Sequence, residues 1–333
     1  MDSLSQIVLG AAVGEAVAGQ KIGRKAPLIG AIFGTIPDFD IFLKYIIQQP
    51  VDQDLAHRGF SHSILFAVLI ALIAIPIFKR IFKIQLTKQH IFFLCFLSIV
   101  THPMLDIFTT WGTQFLWPLE NRIALSSIFV IDPLYTLPFL ILTIWAISLN
   151  KKKTKRRVLN YSGLVISTAY LLFTYGLKSY YLSSESMVHS GPQVVQHEVR
   201  PMPLTSLYWM SITEYQDKFE ISYKHSLKDQ HFKREESIEK NHHLIEMYLN
   251  KEEHAKIKFL SKGFYSAELK GDTLFVYDLK FGTLNKLTNG ENKSPLMGYA
   301  YVLQQGGVSR IFKLSELQDF NDINFTAYLN TIF

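Results

Sequence analysis

IFFLCFLSIVTHPMLDIF, residues 91–108, decides the architecture. It has the length of a bilayer-crossing helix, which needs roughly 17–25 residues, yet it carries His102 and Asp106 at its end. These two stand at i and i+4, so a helix projects both from one face, about 6 Å apart along the axis. Ionisable side chains inside an apolar run are costly, and each marks a functional position. Three further runs read as strong spans: Ile64–Phe78, which needs to begin by Ser61 to be long enough, Pro133–Leu149 and Val158–Leu177. Two weaker segments precede them. Ser3–Gly19 is apolar and rich in small residues suited to close helix contact. Ala26–Ile47 is interrupted by Pro37-Asp38-Phe39-Asp40, and a broken helix with carboxylates is tolerated only where it lines a polar cavity.

The composition agrees. Of 333 residues, 48% are hydrophobic and only 19% charged, against roughly 25% charged in ordinary soluble chains. Disordered, collagen-like and disulfide-stapled classes are excluded. The lone cysteine, Cys95, reads as a small buried hydrophobe. No cleavable signal peptide is expected, because acidic Asp2 stands where a basic region would.

The net charge of +6 is local. Residues 1–150 carry ten Lys/Arg against nine Asp/Glu, and residues 183–333 carry seventeen against nineteen. The excess is KKKTKRR, residues 151–157, together with Lys178. A basic cluster between apolar runs is a topology signal, so no nucleic-acid partner is expected. The positive-inside rule places this loop, Lys79–Lys88 and Lys21–Lys25 in the cytoplasm. The opposite ends, and everything after Leu177, then face outward. The expected architecture is an α-helical polytopic membrane domain over residues 1–178, followed by a smaller extracytoplasmic α+β domain over 183–333. A multi-pass protein of a bacterial-type plasma (inner) membrane is implied. In the second domain, Lys218–Ser226, Tyr265–Leu269 and Thr273–Asp278 read as strands, the last two joined at Lys270-Gly271-Asp272. Glu235–Asn250 and Glu252–Leu260 read as helices. The histidines there show no ligand spacing and read as surface residues.

Asp38 and Asp40 lie in IPDFD, His57 and His62 in HRGFSHS, and Asp132 in FVIDP. With the orientation above, they and the His102/Asp106 pair come to one level of the membrane. Gly59 is positioned to supply a bend that turns both His57 and His62 inward. Three imidazoles and three or four carboxylates suit Zn, Mn or Fe and outnumber the ligands that one catalytic zinc needs. The surplus fits two metals, or one metal with a carboxylate left as base. On this reading Asp38, His57, His62, His102 and Asp106 bind metal, Asp40 is base or second ligand, and Arg58 holds an anionic substrate. Asp132 precedes Pro133, where helix capping explains it as well as ligation does. Gln6 and Glu15 fit interhelical hydrogen bonding as well as a site. HExxH, GxSxG and CxxC motifs are absent.

The motifs MDSLSQIVLGAAVGEAVAG, GTIPDFD, HRGFSHS, THPMLDIFTTWGTQFLWP and FVIDPLYTLP, in this order, resemble the YdjM-type family of membrane-bound metal-dependent hydrolases. The resemblance covers about the first 150 residues. It implies a hydrolase and a metal, with Asp38, Asp40, His57, His62, His102 and Asp106 on the family's polar motifs. Many relatives carry a histidine where this chain has Gln6; if that residue is a ligand, this protein has one fewer or uses Asp2. The expected function is metal-assisted hydrolysis of an ester or phosphoester in a lipid or lipid-linked substrate, with membrane lipids as neighbours and the oligomeric state left open. An ion- or proton-coupled transporter and a metal-stapled scaffold remain as alternatives.

Overall fold

The computed structural model describes residues 1–80, 85–188, 193–284, 295–304, 307–317 and 325–332. The chain divides into two units: residues 1–42, 56–178 and 203–206, and the remainder, which includes residues 43–55.

The first unit is helical. Asp2 caps α1 (Ser3–Ile22), accepting from the Ser5 N–H, and α2 is Lys25–Thr35. These two helices meet backbone to backbone through paired glycines, Gly10 and Gly14 on α1 and Gly30 and Gly34 on α2. A Cβ on Gly30 would lie 2.1 Å from the Gly10 carbonyl oxygen, and one on Gly14 would lie 2.4 Å from that of Ala26. Only residues without side chains permit such an approach. From Ile36 to Tyr45 the chain tightens into a 3-10 segment, followed by α3 (Pro50–Ala56) in the second unit. Next come a 3-10 turn at Phe60–His62, α4 (Ile64–Arg80), α5 (Lys88–Ile107), α6 (Pro133–Ser148) and α7 (Thr154–Val188).

Among the described residues, three helical runs are long and apolar enough to cross a membrane: Lys25–Tyr45, Lys88–Ile107 and Thr154–Met187. A fourth is available if Pro50–His62 and Ile64–Arg80, bent by 56°, act together. This reorders the expected spans. The Ala26–Ile47 region does not break into two arms but stays one run by changing helix type at Ile36. The 133–149 region forms a helix of 16 residues, about 24 Å long, which is short of a roughly 30 Å hydrocarbon core. The bend in HRGFSHS is shared by two residues. Arg58 carries a positive φ of 64°, and Gly59, at φ −89° and ψ −121°, lies outside the ordinary helical and extended regions.

Toward the C-terminal end of α1, Glu15 and Arg156 form a buried bidentate pair, with Nε to Oε1 at 2.7 Å and Nη2 to Oε2 at 2.5 Å. Glu15 is therefore an interhelical group. One cation of the basic loop is interior rather than part of a solvated run.

The second unit holds two four-stranded antiparallel sheets, each a meander: β1 (Gln196–Pro201) to β4, and β5 to β8. In the first sheet, β2 (Tyr208–Glu214) and β3 (Lys218–His225) surround Trp209, Phe219 and Ile221, all fully buried. In the second, β5 (Tyr265–Lys270) and β6 (Thr273–Thr283) turn at Gly271, whose φ of 61° suits a two-residue hairpin. β7 (Pro295–Gln304) and β8 (Gly307–Lys313) complete it. Helices α8 (His242–Tyr248) and α9 (Lys251–Ser261) link the sheets, and the short α10 (Leu314–Leu317) and α11 (Phe325–Ile332) follow. Val51 packs into the core of the second sheet.

The expected helix Glu235–Asn250 is corrected at its start, because residues 233–239 form β4. Pairing with β3 overrides the local helical pattern. It also buries Glu236, which accepts from the Tyr223 and Thr283 hydroxyls at 2.8 Å each. Not all histidines of this unit lie on the surface. His225 is buried, and its Nδ1 accepts from two backbone N–H groups. The His242 ring stacks on Tyr265 at 4.1 Å. His231 and His243 are exposed.

Candidate metal centre

The centre is assembled from the 3-10 segment, the turn after α3 and the end of α5. Asp38 Oδ1 lies 3.4 Å from His62 Nε2 and 3.3 Å from His102 Nε2. Asp106 Oδ2 approaches the same two nitrogens at 3.5 and 3.7 Å. Both imidazoles are buried, whereas the Asp38 side chain keeps 30% exposure and opens the group on one side.

The outer hydrogen bonds fix which nitrogen faces inward. His102 Nδ1 is 2.6 Å from the Gly34 carbonyl oxygen. A carbonyl only accepts, so Nδ1 carries a hydrogen, and in the neutral imidazole Nε2 holds the lone pair. Three residues on from Gly34 stands Pro37, which has no N–H to offer this carbonyl. His62 Nδ1 is 3.2 Å from Asp40 Oδ2 and 3.0 Å from Ser61 Oγ. The Ser61 hydroxyl spends its own hydrogen on Asp40 Oδ2 at 2.6 Å, so His62 Nδ1 is a donor as well.

With both imidazoles neutral, two nitrogen lone pairs and two carboxylate oxygens converge. His62 Nε2, His102 Nε2 and Asp106 Oδ2 are buried without a hydrogen-bond partner. Such a set suits a cation. The two distances from Asp38 Oδ1 match the edge of a tetrahedron around zinc, about 3.3 Å for bonds of about 2.0 Å. Imidazoles held by a carboxylate and a backbone carbonyl are the usual supporting arrangement for metal-binding histidines. The buried group Asp38, His62 and His102 has ligand atoms within 4.8 Å of one another and has the composition to hold a metal ion.

Other expected residues take different places. His57 Nδ1 pairs with Asp40 Oδ1 at 2.7 Å, and its side chain is 37% exposed. Asp40 also accepts from the Arg58 N–H at 3.0 Å, so this carboxylate joins both imidazoles of HRGFSHS. Arg58 is buried, donates to Thr109 Oγ1 at 3.1 Å, and has its Nε 3.6 Å from Asp106 Oδ2. Gln6 Nε2 donates to Asp106 Oδ1 at 3.1 Å and to the His102 carbonyl at 3.3 Å, and the Met1 amine pairs with the same Oδ1. Gln6 thus braces Asp106 and α5.

Asp2 and Asp132 are helix caps. Asp132 caps α6 through the Leu134 and Tyr135 N–H groups, and its Oδ2 accepts from Tyr170 and Ser206 at 2.9 and 2.8 Å. Replacing Asp132 with Ala is expected to cost about 2 kcal/mol, the upper end for a lost cap, and to leave bound metal unchanged. Thermal unfolding and elemental analysis of the same preparation check both. Among the residues with no role assigned from sequence are Ser61 and Gly34. Ser61 lies inside the HRGFSHS motif; Gly34 acts through a backbone carbonyl, which residue type does not announce.

Residues 1–180 match the YdjM inner membrane protein family. The chain is also similar to the uncharacterized protein YfhP of Bacillus subtilis, 32% identical over 141 residues, 40% of this chain and 42% of that protein. It is 30% identical to the inner membrane protein YbcI of Escherichia coli over 112 residues, 33% of this chain and 63% of that protein. The chain thus spans about half the length of these curated relatives. No solved structure matches it. The family match covers the helical unit and every residue of the Asp38–His62–His102 group, so this chain is a membrane protein belonging to the YdjM inner membrane protein family.

Proposed function

We propose that this protein is a metal-dependent hydrolase acting on an ester or phosphoester of a lipid or lipid-linked substrate. One observation carries the reading: the lone pairs of His62 and His102 converge on Asp38 while their other nitrogens are held by Asp40 and Gly34. In this reading Asp38, His62 and His102 hold a divalent transition metal, zinc by its donor set, with Asp106 Oδ2 closing the set from the buried side. A bound metal of this kind lowers the pKa of a water and polarises the ester oxygen.

The chain's own residues divide the remaining work. Asp40 and His57 form a carboxylate–imidazole pair in which Asp40 is buried and the His57 ring is partly exposed. Asp40 fixes the hydrogen on His57 Nδ1, which leaves Nε2 to take a proton from the attacking water and return it to the leaving oxygen. Asp40 is thereby a positioning residue for both His57 and His62. Arg58, close to Asp106, offers a guanidinium to an anionic oxygen of the substrate. Apolar side chains next to the ligands in sequence, Phe39, Ile41, Phe42 and Phe60, are exposed and favour a lipid-borne substrate over a small soluble one.

The test separates base from ligand. His57→Ala is expected to keep its metal and to lose roughly 10²–10⁴ in hydrolysis of a fluorescent phospholipid or an aryl phosphodiester, the range for a removed general base. The rate and elemental content of one preparation check it. A metal-loaded, folded wild type that cleaves neither probe would overturn the hydrolase reading and favour a metal that only staples the helices.

A further inference from the structure

A second polar cavity lies in the helical unit, between the last turn of α1 and the start of α7. It has a volume of about 120 Å³ and is lined by Gln20, Lys21, Lys151, Arg157, Asn160 and Tyr161, with the Glu15–Arg156 pair at its wall. Pockets that enclose a whole small-molecule ligand measure roughly 300–1,000 Å³, so this one has room for a headgroup whose remainder stays outside.

Its charge is unbalanced. Four cations line it against one carboxylate, and that carboxylate is spent on Arg156 by two hydrogen bonds. Lys21, Lys151 and Arg157 are left without an acidic partner in the cavity. Their other contacts are neutral: Lys21 with His90, Lys151 with the Lys21 carbonyl at 3.3 Å, and Arg157 over the Tyr161 ring. Arg157 also stands in the first turn of α7, whose unpaired N–H groups and positive dipole end disfavour a cation and favour an anion. A second, independent observation concerns Asn160. It is 1% exposed, its Nδ2 is engaged by the Ala12 carbonyl, and its Oδ1 has no partner. The cavity thus offers several cationic donors together with one buried acceptor. A phosphate diester whose alcohol carries a free hydroxyl satisfies both, the phosphate at Lys21, Lys151 and Arg157 and the hydroxyl at Asn160 Oδ1.

We propose that this cavity binds the headgroup of an anionic phospholipid of the phosphoglycerol type, with its acyl chains lying outside against the apolar helices. Basic pockets between membrane helices take such headgroups by this chemistry. The site shares no residue with the metal centre.

The full chain, purified in detergent and offered equal amounts of phosphatidylglycerol and phosphatidylcholine, is examined by native mass spectrometry. Wild type is expected to retain phosphatidylglycerol in preference. Lys21→Ala/Arg157→Ala is expected to lose it about thirtyfold, the effect of removing two cations near a lipid phosphate. Lys152→Ala/Lys153→Ala removes the same charge outside the cavity and is expected to match wild type. Asn160→Leu is expected to lower phosphatidylglycerol retention while leaving that of phosphatidic acid, which has no headgroup hydroxyl. Equal retention of the two offered lipids by wild type, or equal losses in the two double variants, would overturn the proposal. Displacement by millimolar inorganic phosphate would overturn the lipid assignment and make free phosphate the ligand.

Discussion

His62→Ala and His102→Ala are each expected to abolish bound transition metal in detergent-purified protein, whereas wild type carries about one equivalent by elemental mass spectrometry. The expectation rests on the absence of substitutes. Each Nε2 is buried and faces Asp38 Oδ1 and Asp106 Oδ2 at 3.3 to 3.7 Å, and an alanine leaves two carboxylates with a single imidazole. Asp40→Asn probes the supporting layer. It keeps the shape but weakens the hold on His62 Nδ1, and an orienting partner of this kind is worth 10–100-fold in metal affinity. Titration with a chelator of known affinity reads that loss, and His57→Ala in the same titration is expected to stay within a few fold of wild type. Full metal content in both His62→Ala and His102→Ala would remove the centre altogether.

Gly30→Val is expected to destabilise the helical unit by about 3 kcal/mol or more, at or beyond the upper end for overpacking. Its Cβ would lie 2.1 Å from the Gly10 carbonyl oxygen and 2.8 Å from Gly14 Cα. These are backbone atoms that cannot rotate away, so α1 and α2 must separate. The separation carries Gly34, one helical turn further along α2, away from His102 Nδ1, so metal affinity should fall with stability. Gly176→Val, at an exposed α7 position with no atom within 4 Å of its built Cβ, is the matched control and should change stability by about 0.5 kcal/mol or less. Chemical denaturation in mild detergent, with metal content measured on the same samples, tests the coupling.

Much of this was legible in the sequence because the signals are local. The i, i+4 pair His102 and Asp106 lies on a helix of its own period, and both residues reach the centre. The small-residue run of α1 gave the close helix contact, although its partners Gly30 and Gly34 showed only when the two helices were set side by side. The roles within HRGFSHS were harder to read. His57 and His62 are the same residue type five positions apart and Asp40 reaches both; only burial separates them, His62 facing Asp38 with no exposure and His57 standing partly in the open. Asp132 and Asp2 look like ligands by residue type, yet each meets backbone N–H groups at a helix start. β4 was misread as helix because its charged residues are spaced three and four apart, and its pairing with β3 is a non-local fact. Residues 43–55 fall within the membrane domain expected over 1–178, but Val51 packs with a core made of residues 245–301, a distance in sequence that no local pattern spans.

Pro37 gives the 3-10 segment a meaning beyond its shape. A proline within an apolar helix is ordinarily a defect that neighbours must absorb. Here the residue three places after Gly34 offers no hydrogen, and the Gly34 oxygen accepts from an imidazole on another helix. Tolerance to substitution along this stretch should therefore be uneven. Phe39, Ile41 and Phe42 can exchange among apolar types, while Pro37 is constrained together with His102, although it donates nothing and touches no ligand atom. In an alignment of relatives these two positions should change together or not at all.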